Sequence, residues 1–133
     1  MCPGEAKSVS PGTNLVITGD TTGASDKFMA GQGGVGNCMN PLNAPGSDLV
    51  YAVTPTASGK LTAALDATYD HAVVRVTTKC PGAGSDEIAC QYNTGAGTAT
   101  TPQIDVTSGT TYYVVADSWM SKAGTFTLTL TLQ

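Results

Sequence analysis

The chain has few charges and no long apolar run, and these absences exclude several functions. Only 12% of its 133 residues are charged, about half the usual share in soluble proteins. Six basic residues are scattered along a chain whose formal net charge is −4. No lysine–arginine cluster can therefore neutralise a nucleic-acid backbone or an anionic membrane surface. No apolar run approaches the roughly 20 residues of a membrane-spanning helix.

The chain also lacks a strong catalytic signature. Its single histidine, His71, has no G-x-S-x-G nucleophile elbow to work with. In an extended strand the neighbouring Asp70 points to the opposite side, so we predict a solvent-facing histidine and no dyad. The ten acidic residues are mostly solitary, although the sequence leaves open the paired carboxylates of a glycoside hydrolase. We predict that the chain is not an enzyme.

One segment has the spacing of a dinucleotide-binding loop. Residues 31–36 satisfy G-x-G-x-x-G, but that chemistry needs a strand before the glycines and a helix after them. Asn37, Cys38 and Pro41 follow instead, and they do not begin a helix. We interpret the segment as a loop and predict no nucleotide cofactor.

What the chain does have is a repeated strand pattern. Residues 125–133 alternate threonine with large apolar side chains, the period of a strand with one buried and one wet face. Many short strands without a helical period predict an all-β fold, a two-sheet antiparallel β-sandwich. The eight predicted strands are 14–18, 48–54, 60–65, 71–78, 86–91, 103–106, 110–117 and 124–132.

The length predicts a single domain over residues 1–133. Within it, residues 19–47 form a long region rich in glycine and asparagine. Loops of this length are usually functional or cross-linked. A short edge strand at 27–29 would give Phe28 a place to pack. The strand at 110–117 is apolar on both faces, so we expect it to be central in its sheet.

Four cysteines in a short chain indicate two disulfides and an oxidising compartment. Cys80 and Cys90 enclose nine turn-rich residues, so we pair them, and Cys2 then pairs with Cys38. Three pairings are possible in principle. A four-cysteine zinc site is disfavoured because the sequence has no C-x-x-C pair.

The first two residues allow two interpretations. Met1 directly before Cys2 is what a start codon placed on a mature, secreted domain would give once a leader had been removed. A cysteine at a mature N-terminus is also the lipid attachment point of bacterial lipoproteins, but lipidation would leave Cys38 unpaired. We therefore expect a secreted or cell-surface location.

Several segments follow the order and spacing of a known family. They are GASDKF at 23–28, APGSDLVY at 44–51, YDHAVVRV at 69–76, the cysteines at 80 and 90, SGTTYYVVAD at 108–117 and AGTFTL at 123–128. Together they resemble the bacterial pre-peptidase C-terminal domain family over nearly the full chain. The resemblance implies a jelly-roll-like β-sandwich that is usually non-catalytic and is attached to secreted peptidases and other exported proteins. Relatives include collagen-binding and polysaccharide-binding modules, some of which hold calcium.

The resemblance bears on calcium in two opposite ways. Asp48 and Asp70 match aspartates of the family pattern. Many similar copies carry Asn-Asp-Asp after the second loop cysteine, whereas residues 91–93 here are Gln-Tyr-Asn. A calcium ion needs six to eight oxygen ligands. We therefore predict no cofactor. If calcium does bind, the candidate ligands are Asp26, Asp48 and Asp70, together with Asp20, provided that loops bring them together.

Aromatic residues in loops are candidate ligand-binding residues. Trp119 lies between two predicted strands, and Tyr69 and Tyr92 lie at predicted strand ends or in loops. Flat aromatic faces are a common means of binding sugars. The alternative for Trp119 is that it folds back over the edge of the sandwich.

The threonines of the last strand allow three interpretations. They are an ordinary exposed face, an ice-binding face, or one face of a strand offered to a partner. One strand is not an array, which disfavours ice. A C-terminal strand at a sheet edge would expose unpaired backbone groups to a partner strand.

These observations favour a non-catalytic secreted binding or accessory module that attaches to a polysaccharide or an extracellular protein matrix. The alternative is a structural subunit of an extracellular assembly or filament that associates through sheet edges. A small secreted hydrolase is the third hypothesis. The expected partners are a polysaccharide, a matrix protein or other copies of the chain.

Overall fold

The computed structural model describes residues 4–24, 48–80, 86–93, 95, 97–118 and 122–133. These residues form ten strands and no α-helix. In this part of the chain no helix has the length and hydropathy of a membrane span. The strands are β1 (Glu5–Val9), β2 (Leu15–Asp20), β3 (Leu49–Pro55), β4 (Gly59–Ala67), β5 (Ala72–Thr77), β6 (Glu87–Tyr92), β7 (Gly97–Thr100), β8 (Ile104–Val106), β9 (Tyr112–Ser118) and β10 (Thr125–Leu132).

The strands form two sheets, which we call sheet 1 and sheet 2. Sheet 1 has the order β1-β3-β9-β5-β6, and sheet 2 has the order β2-β10-β4-β7, with β8 also paired to β4. The pairings are antiparallel except for β1, which runs parallel to β3. The predicted all-β sandwich is confirmed, with ten strands instead of eight and with one parallel pair.

Each of the eight predicted strands corresponds to an observed strand, and the boundaries differ by at most two residues. The expected central position of the strand at 110–117 is also confirmed, because β9 lies between β3 and β5. The prediction missed β1 and β7. Each of them buries a single apolar side chain, Val9 in β1 and Ala99 in β7, so neither shows a visible alternation. The predicted strand at 27–29 and most of the predicted loop at 19–47 lie outside the described residues, while Gly19 and Asp20 belong to β2.

The core lies between the inner faces of the two sheets. Every second residue of β10 points into it, and Leu128 and Leu130 are completely buried. Leu61 and Leu65 of the neighbouring β4 meet them in the same apolar cluster. Burying a leucine side chain contributes roughly 1.5–3 kcal/mol before the loss of conformational entropy is counted. The alternation seen in the sequence therefore marks the most strongly packed part of sheet 2.

The C-terminal strand does not lie at a sheet edge, which corrects the sequence-based expectation. Strand β10 pairs with β2 on one side and with β4 on the other. Its backbone groups are therefore used within the sheet, and they are not available to a partner strand. The alternation of apolar and polar residues in one strand predicts which of its faces is exposed to water, but it does not predict which strands pair with it.

Candidate binding groove

The outer face of sheet 2 carries hydroxyl groups on four neighbouring strands. The threonines of β10 continue into rows on β2, β4 and β7, and nearly all of the remaining residues on this face are also small or polar. We call this surface the threonine face. Its threonines, all exposed or half-buried, are Thr18, Thr62, Thr68, Thr98, Thr100, Thr125, Thr127, Thr129 and Thr131.

The rows follow from the strand register. Thr127 lies opposite Thr18 of β2 on one side and opposite Asp66 of β4 on the other. Asp66 in turn lies opposite Thr98 of β7. Adjacent strands are about 4.8 Å apart, so this single row places three hydroxyls and one carboxylate across the sheet. The threonine face is therefore an array over several strands, not the single row considered from the sequence.

Hydrogen bonds hold some of these hydroxyls in place. The Thr68 hydroxyl donates to the Thr125 carbonyl at 2.9 Å, and its Oγ1 lies 3.1 Å from Thr125 Oγ1. Farther along β10, the hydroxyl of Thr131 donates to Asn14 Oδ1 at 3.2 Å. Side chains that are already oriented lose less conformational entropy when a ligand binds.

One end of the threonine face contains an open groove of about 520 Å³. Strands β2, β10 and β4 supply its walls, and Asp20 and Asp66 stand on opposite sides of β10. The groove is lined by Thr18, Gly19, Asp20, Asp66, Thr68, Thr125, Phe126 and Thr127.

The packing below the groove explains the glycine in β2. A Cβ atom on Gly19 would lie 2.5 Å from the Phe126 ring and 2.9 Å from the Tyr51 hydroxyl oxygen. The rings of Phe126 and Tyr51 meet edge to face, with centroids 6.4 Å apart and planes at 71°. Gly19 therefore leaves room for the aromatic pair that supports the groove from the core side.

The carboxylate of Asp20 is held in its charged form. The hydroxyl and the backbone N–H of Thr22 both donate to it, and these bonds lower the pKa of Asp20 below its usual range. The N–H of Thr22 lies 2.9 Å from Asp20 Oδ1. At neutral pH this side of the groove therefore presents a negative charge and hydrogen-bond acceptors.

Among the residues that the structure describes, the groove can bind by hydrogen bonding and methyl contact, and these residues offer no exposed aromatic ring. Threonine hydroxyls both donate and accept, while the carboxylates only accept. The one aromatic residue in the lining, Phe126, is 3% exposed and packs inward. A ligand that offers many hydroxyls and no negative charge matches this chemistry.

The outer face of sheet 1 has the opposite character. The Arg75 side chain is 2% exposed, and its Nη1 lies 3.4 Å from Glu87 Oε1 and its Nη2 3.6 Å from Asp117 Oδ2. The Ser118 N–H also donates to Asp117 Oδ1 at 2.7 Å. These charges are buried beside one another in neighbouring strands. Removing one partner of such a buried pair is strongly destabilising, because it leaves the other charge buried without it.

The only histidine contacts the neighbouring aspartate, contrary to the sequence-based expectation. His71 Nδ1 lies 3.4 Å from Asp70 Oδ2, and Asp70 Oδ1 lies 3.7 Å from Lys122 Nζ. The expectation was wrong because His71 is not in an extended strand. Its φ is +60°, and β5 begins one residue later, at Ala72. Its side chain is 21% exposed, so it is also not the solvent-facing strand histidine that we expected.

The candidate calcium ligands do not form a cluster in the part of the chain that the structure describes. Asp48 precedes β3 and is 1% exposed, whereas Asp70 lies in the β4–β5 turn beside Lys122. Within the described ranges, no three histidine, cysteine, aspartate or glutamate side chains come together as metal ligands. Asp26 lies outside those ranges. Calcium binding stays a prediction.

The aromatic candidates are not brought together. Tyr69 lies in the core between the sheets, 6% exposed, and its hydroxyl donates to the Asp117 carbonyl at 3.3 Å. Burial, with a smaller contribution from Asp117, raises the pKa of Tyr69. Tyr92 lies on the other side of sheet 1, partly buried against Val73. Tyr69 offers no ring face to a ligand, and Trp119 lies outside the described residues.

The two cysteines in the described residues occupy different environments. Cys90 is completely buried beside Val73, and Cys80 packs against Val50 and Val115. Neither is a free thiol. Their bond to each other stays a prediction, and Cys2 and Cys38 lie outside the described residues.

Comparison with known proteins places the fold. No family model matches the sequence, and no curated protein matches it. Among solved structures, the chain is similar to the pre-peptidase C-terminal domain of a collagenase from Bacillus anthracis, with a TM-score of 0.57 over 96% of both chains. The chain has the fold of a pre-peptidase C-terminal domain. Sequence identity is 13%, so the match confirms the expected fold alone.

Two more distant structures are also similar. One is PliG of Aeromonas hydrophila, a periplasmic inhibitor of g-type lysozyme, with a TM-score of 0.46, 12% identity and coverage of 97% of this chain and 98% of that one. The other is a β-glucosidase from Paenibacillus barengoltzii, with a TM-score of 0.44, 10% identity and coverage of 96% of this chain and 11% of that one. Likeness at this level carries no functional argument.

Sequence reasoning recognised only one strand of the threonine face. The sequence did not show that the threonines of β2, β4 and β7 lie on the same face, because the residues of one strand do not determine which strands pair with it. A signal was present: Thr18 follows the buried Ile17, and Thr98 and Thr100 flank the buried Ala99. Threonine next to a buried apolar residue in several short segments is the pattern that would have found the face.

Proposed function

We propose that the chain is a non-catalytic binding module of an extracellular protein, and that it binds a neutral, hydroxyl-rich polysaccharide in the groove of the threonine face. The observation that carries the proposal is the groove itself. Hydroxyls from β2, from β10 and from Thr68, just after β4, line it together with the carboxylates of Asp20 and Asp66.

Charge supports a neutral polymer over an acidic one. The described residues of the groove lining include two carboxylates and no basic side chain, and the whole chain has a net charge of −4. An acidic polysaccharide would be repelled, whereas sugar hydroxyls can donate to the carboxylates and exchange bonds with the threonines. Bonds to charged groups are the stronger kind, worth roughly 1.5–3 kcal/mol each.

The acid–base character of Asp20 supports ligand binding over a role as a general acid. A glycoside hydrolase needs one carboxyl group with a raised pKa to act as general acid. The hydrogen bonds from Thr22 lower the pKa of Asp20. The similar fold of a collagenase's pre-peptidase C-terminal domain agrees with the usually non-catalytic role that the sequence resemblance implies.

The proposal is tested by retention on a panel of insoluble neutral polysaccharides, acidic polysaccharides and fibrillar collagen. Thr18→Val and Thr127→Val, combined, remove two groove hydroxyls while keeping side-chain shape and strand preference. We expect the double variant to lose about tenfold in affinity for a neutral polysaccharide, the equivalent of about 1.4 kcal/mol.

The matched control is Thr62→Val combined with Thr131→Val, on the same face but outside the groove. We expect this control to bind like the natural chain. Equal losses in both double variants, or retention on collagen alone, would contradict the groove as the polysaccharide site. Hydrolysis of the polymer during the assay would contradict the non-catalytic role.

A further inference from the structure

The four edge strands of the two sheets differ in how well they are protected against pairing with another chain. In the described residues, β1 and β6 end sheet 1, and β2 and the β7–β8 pair end sheet 2. Proteins usually guard such edges with charges, proline, bulges or very short strands, because an open edge is a template for strand addition.

Three of the four edges carry these guards. Strand β1 places an ion pair at the edge, with Lys7 Nζ 2.8 Å from Glu5 Oε1. The register between β5 and β6 shifts at Val76/Thr77. Strands β7 and β8 have only four and three residues, and Pro102 lies between them. None of these edges offers a long, regular and uncharged strand.

Strand β2 has none of these guards. It has six residues in unbroken register with β10, no proline, and no charge before its last residue, Asp20. Val16 is 58% exposed, and it is the only large apolar side chain that is exposed in the described part of the chain. The edge of β2 is therefore regular, neutral and apolar in its middle.

The backbone bonds show which groups of β2 face outward. The Thr21 N–H donates to the Gly124 carbonyl, next to β10, at 2.9 Å. Because successive residues of a strand direct their backbone groups to opposite sides, the odd-numbered residues of β2 bond to β10. The Thr68 N–H donates to the Thr125 carbonyl, so odd-numbered residues of β10 face β4, in agreement. Val16 and Thr18 consequently point their N–H and C=O groups away from β10, to the side of β2 where the described residues place no strand.

We propose that this edge pairs with β2 of a second copy of the chain, antiparallel and about a two-fold axis at Ile17. In that register Val16 of each copy lies opposite Thr18 of the other, so the outward-facing backbone groups meet. Asp20 lies opposite Asn14 of the other copy, and the two carboxylates are kept at opposite ends. The contact is isologous and closes as a dimer, and it joins the two threonine faces into one surface. It is independent of the proposed polysaccharide binding.

Sedimentation equilibrium from about 1 µM to about 1 mM tests the proposal over the affinity range of weak to moderate protein pairs. We expect a reversible monomer–dimer equilibrium. Val16→Lys places a charge at the edge, and Val16→Pro removes an edge-facing N–H while leaving the bonds to β10. We expect each variant to raise the dimer dissociation constant by about tenfold or more.

The matched control is Thr129→Lys, because Thr129 lies opposite Val16 on the same face but in the interior of the sheet. We expect it to leave the dissociation constant within about twofold of the natural value. A strict monomer over the whole range, an assembly larger than a dimer, or equal weakening by Thr129→Lys would overturn the proposal. Circular dichroism of each variant checks that the sandwich is retained.

Discussion

The two outer faces of the sandwich differ in their exposure to water and in the side chains that form them. The outer face of sheet 2 is exposed and is dominated by threonine. The outer face of sheet 1 is buried: Val73, Val115, Arg75 and Asp117 are at most 2% exposed. An outer face can be left exposed to water when most of its side chains are polar. When strands are apolar on both sides, the second face must be covered as well.

The contrast is already present in the sequence of the central strands. In β10 every second residue is threonine, and the structure exposes that side. In β5 and β9 nearly every residue is buried, including the charged Arg75 and Asp117. An arginine and an aspartate within otherwise apolar strands indicate charges that are buried together, since a single buried charge would be too costly.

The largest expected effect comes from removing the buried cation. Arg75→Ala leaves Glu87 and Asp117 buried without that guanidinium, and we expect a loss of about 3–5 kcal/mol in the free energy of unfolding. Urea unfolding followed by circular dichroism measures it. The control is Lys79→Ala, which removes the exposed partner 3.8 Å from Asp86 and should cost less than about 1 kcal/mol. Similar losses in the two variants would contradict the description of sheet 1.

The sequence predicted the sandwich and eight of its ten strands, because most of these eight have either a clear alternation or a continuous apolar run. It did not predict the neighbours of each strand. The edge was therefore assigned to β10, although β10 lies between β2 and β4. The contact between His71 and Asp70 was also missed, because it depends on one backbone angle that strand periodicity does not encode.

The groove was predictable only in part, for the same reason. The threonines of β10 were visible as a row, but the groove also needs Asp20 and Asp66, which lie 46 residues apart in the chain.

Tyr69 was expected to lie at a strand end and to be available to a ligand. The structure places it in the core, where its hydroxyl reaches the Asp117 carbonyl.

We expect a smaller loss of stability at alkaline pH, caused by the ionisation of Tyr69 in the core beside sheet 1. The folded state raises the pKa of Tyr69, so the phenol binds its proton more tightly in the folded chain than in the unfolded chain. The stabilisation that comes from this tighter proton binding is fully present below the pKa of about 10 in the unfolded chain. It is lost as the pH rises from that value through the higher pKa of the folded chain. Urea midpoints measured from neutral pH to about pH 11 should fall less steeply for Tyr69→Phe than for the natural chain. Identical slopes would contradict the buried position of Tyr69.

The comparison of the two faces is tested most directly by one substitution made on each of them. Val115 and Val16 both point outward from their sheets, but Val115 is 0% exposed and Val16 is 58% exposed. We expect Val115→Ala to lower the free energy of unfolding by about 2 kcal/mol, and Val16→Ala to change it by less than about 0.5 kcal/mol. Equal effects of the two substitutions in urea unfolding would show that the outer face of sheet 1 is as open to water as the threonine face, and would contradict the account.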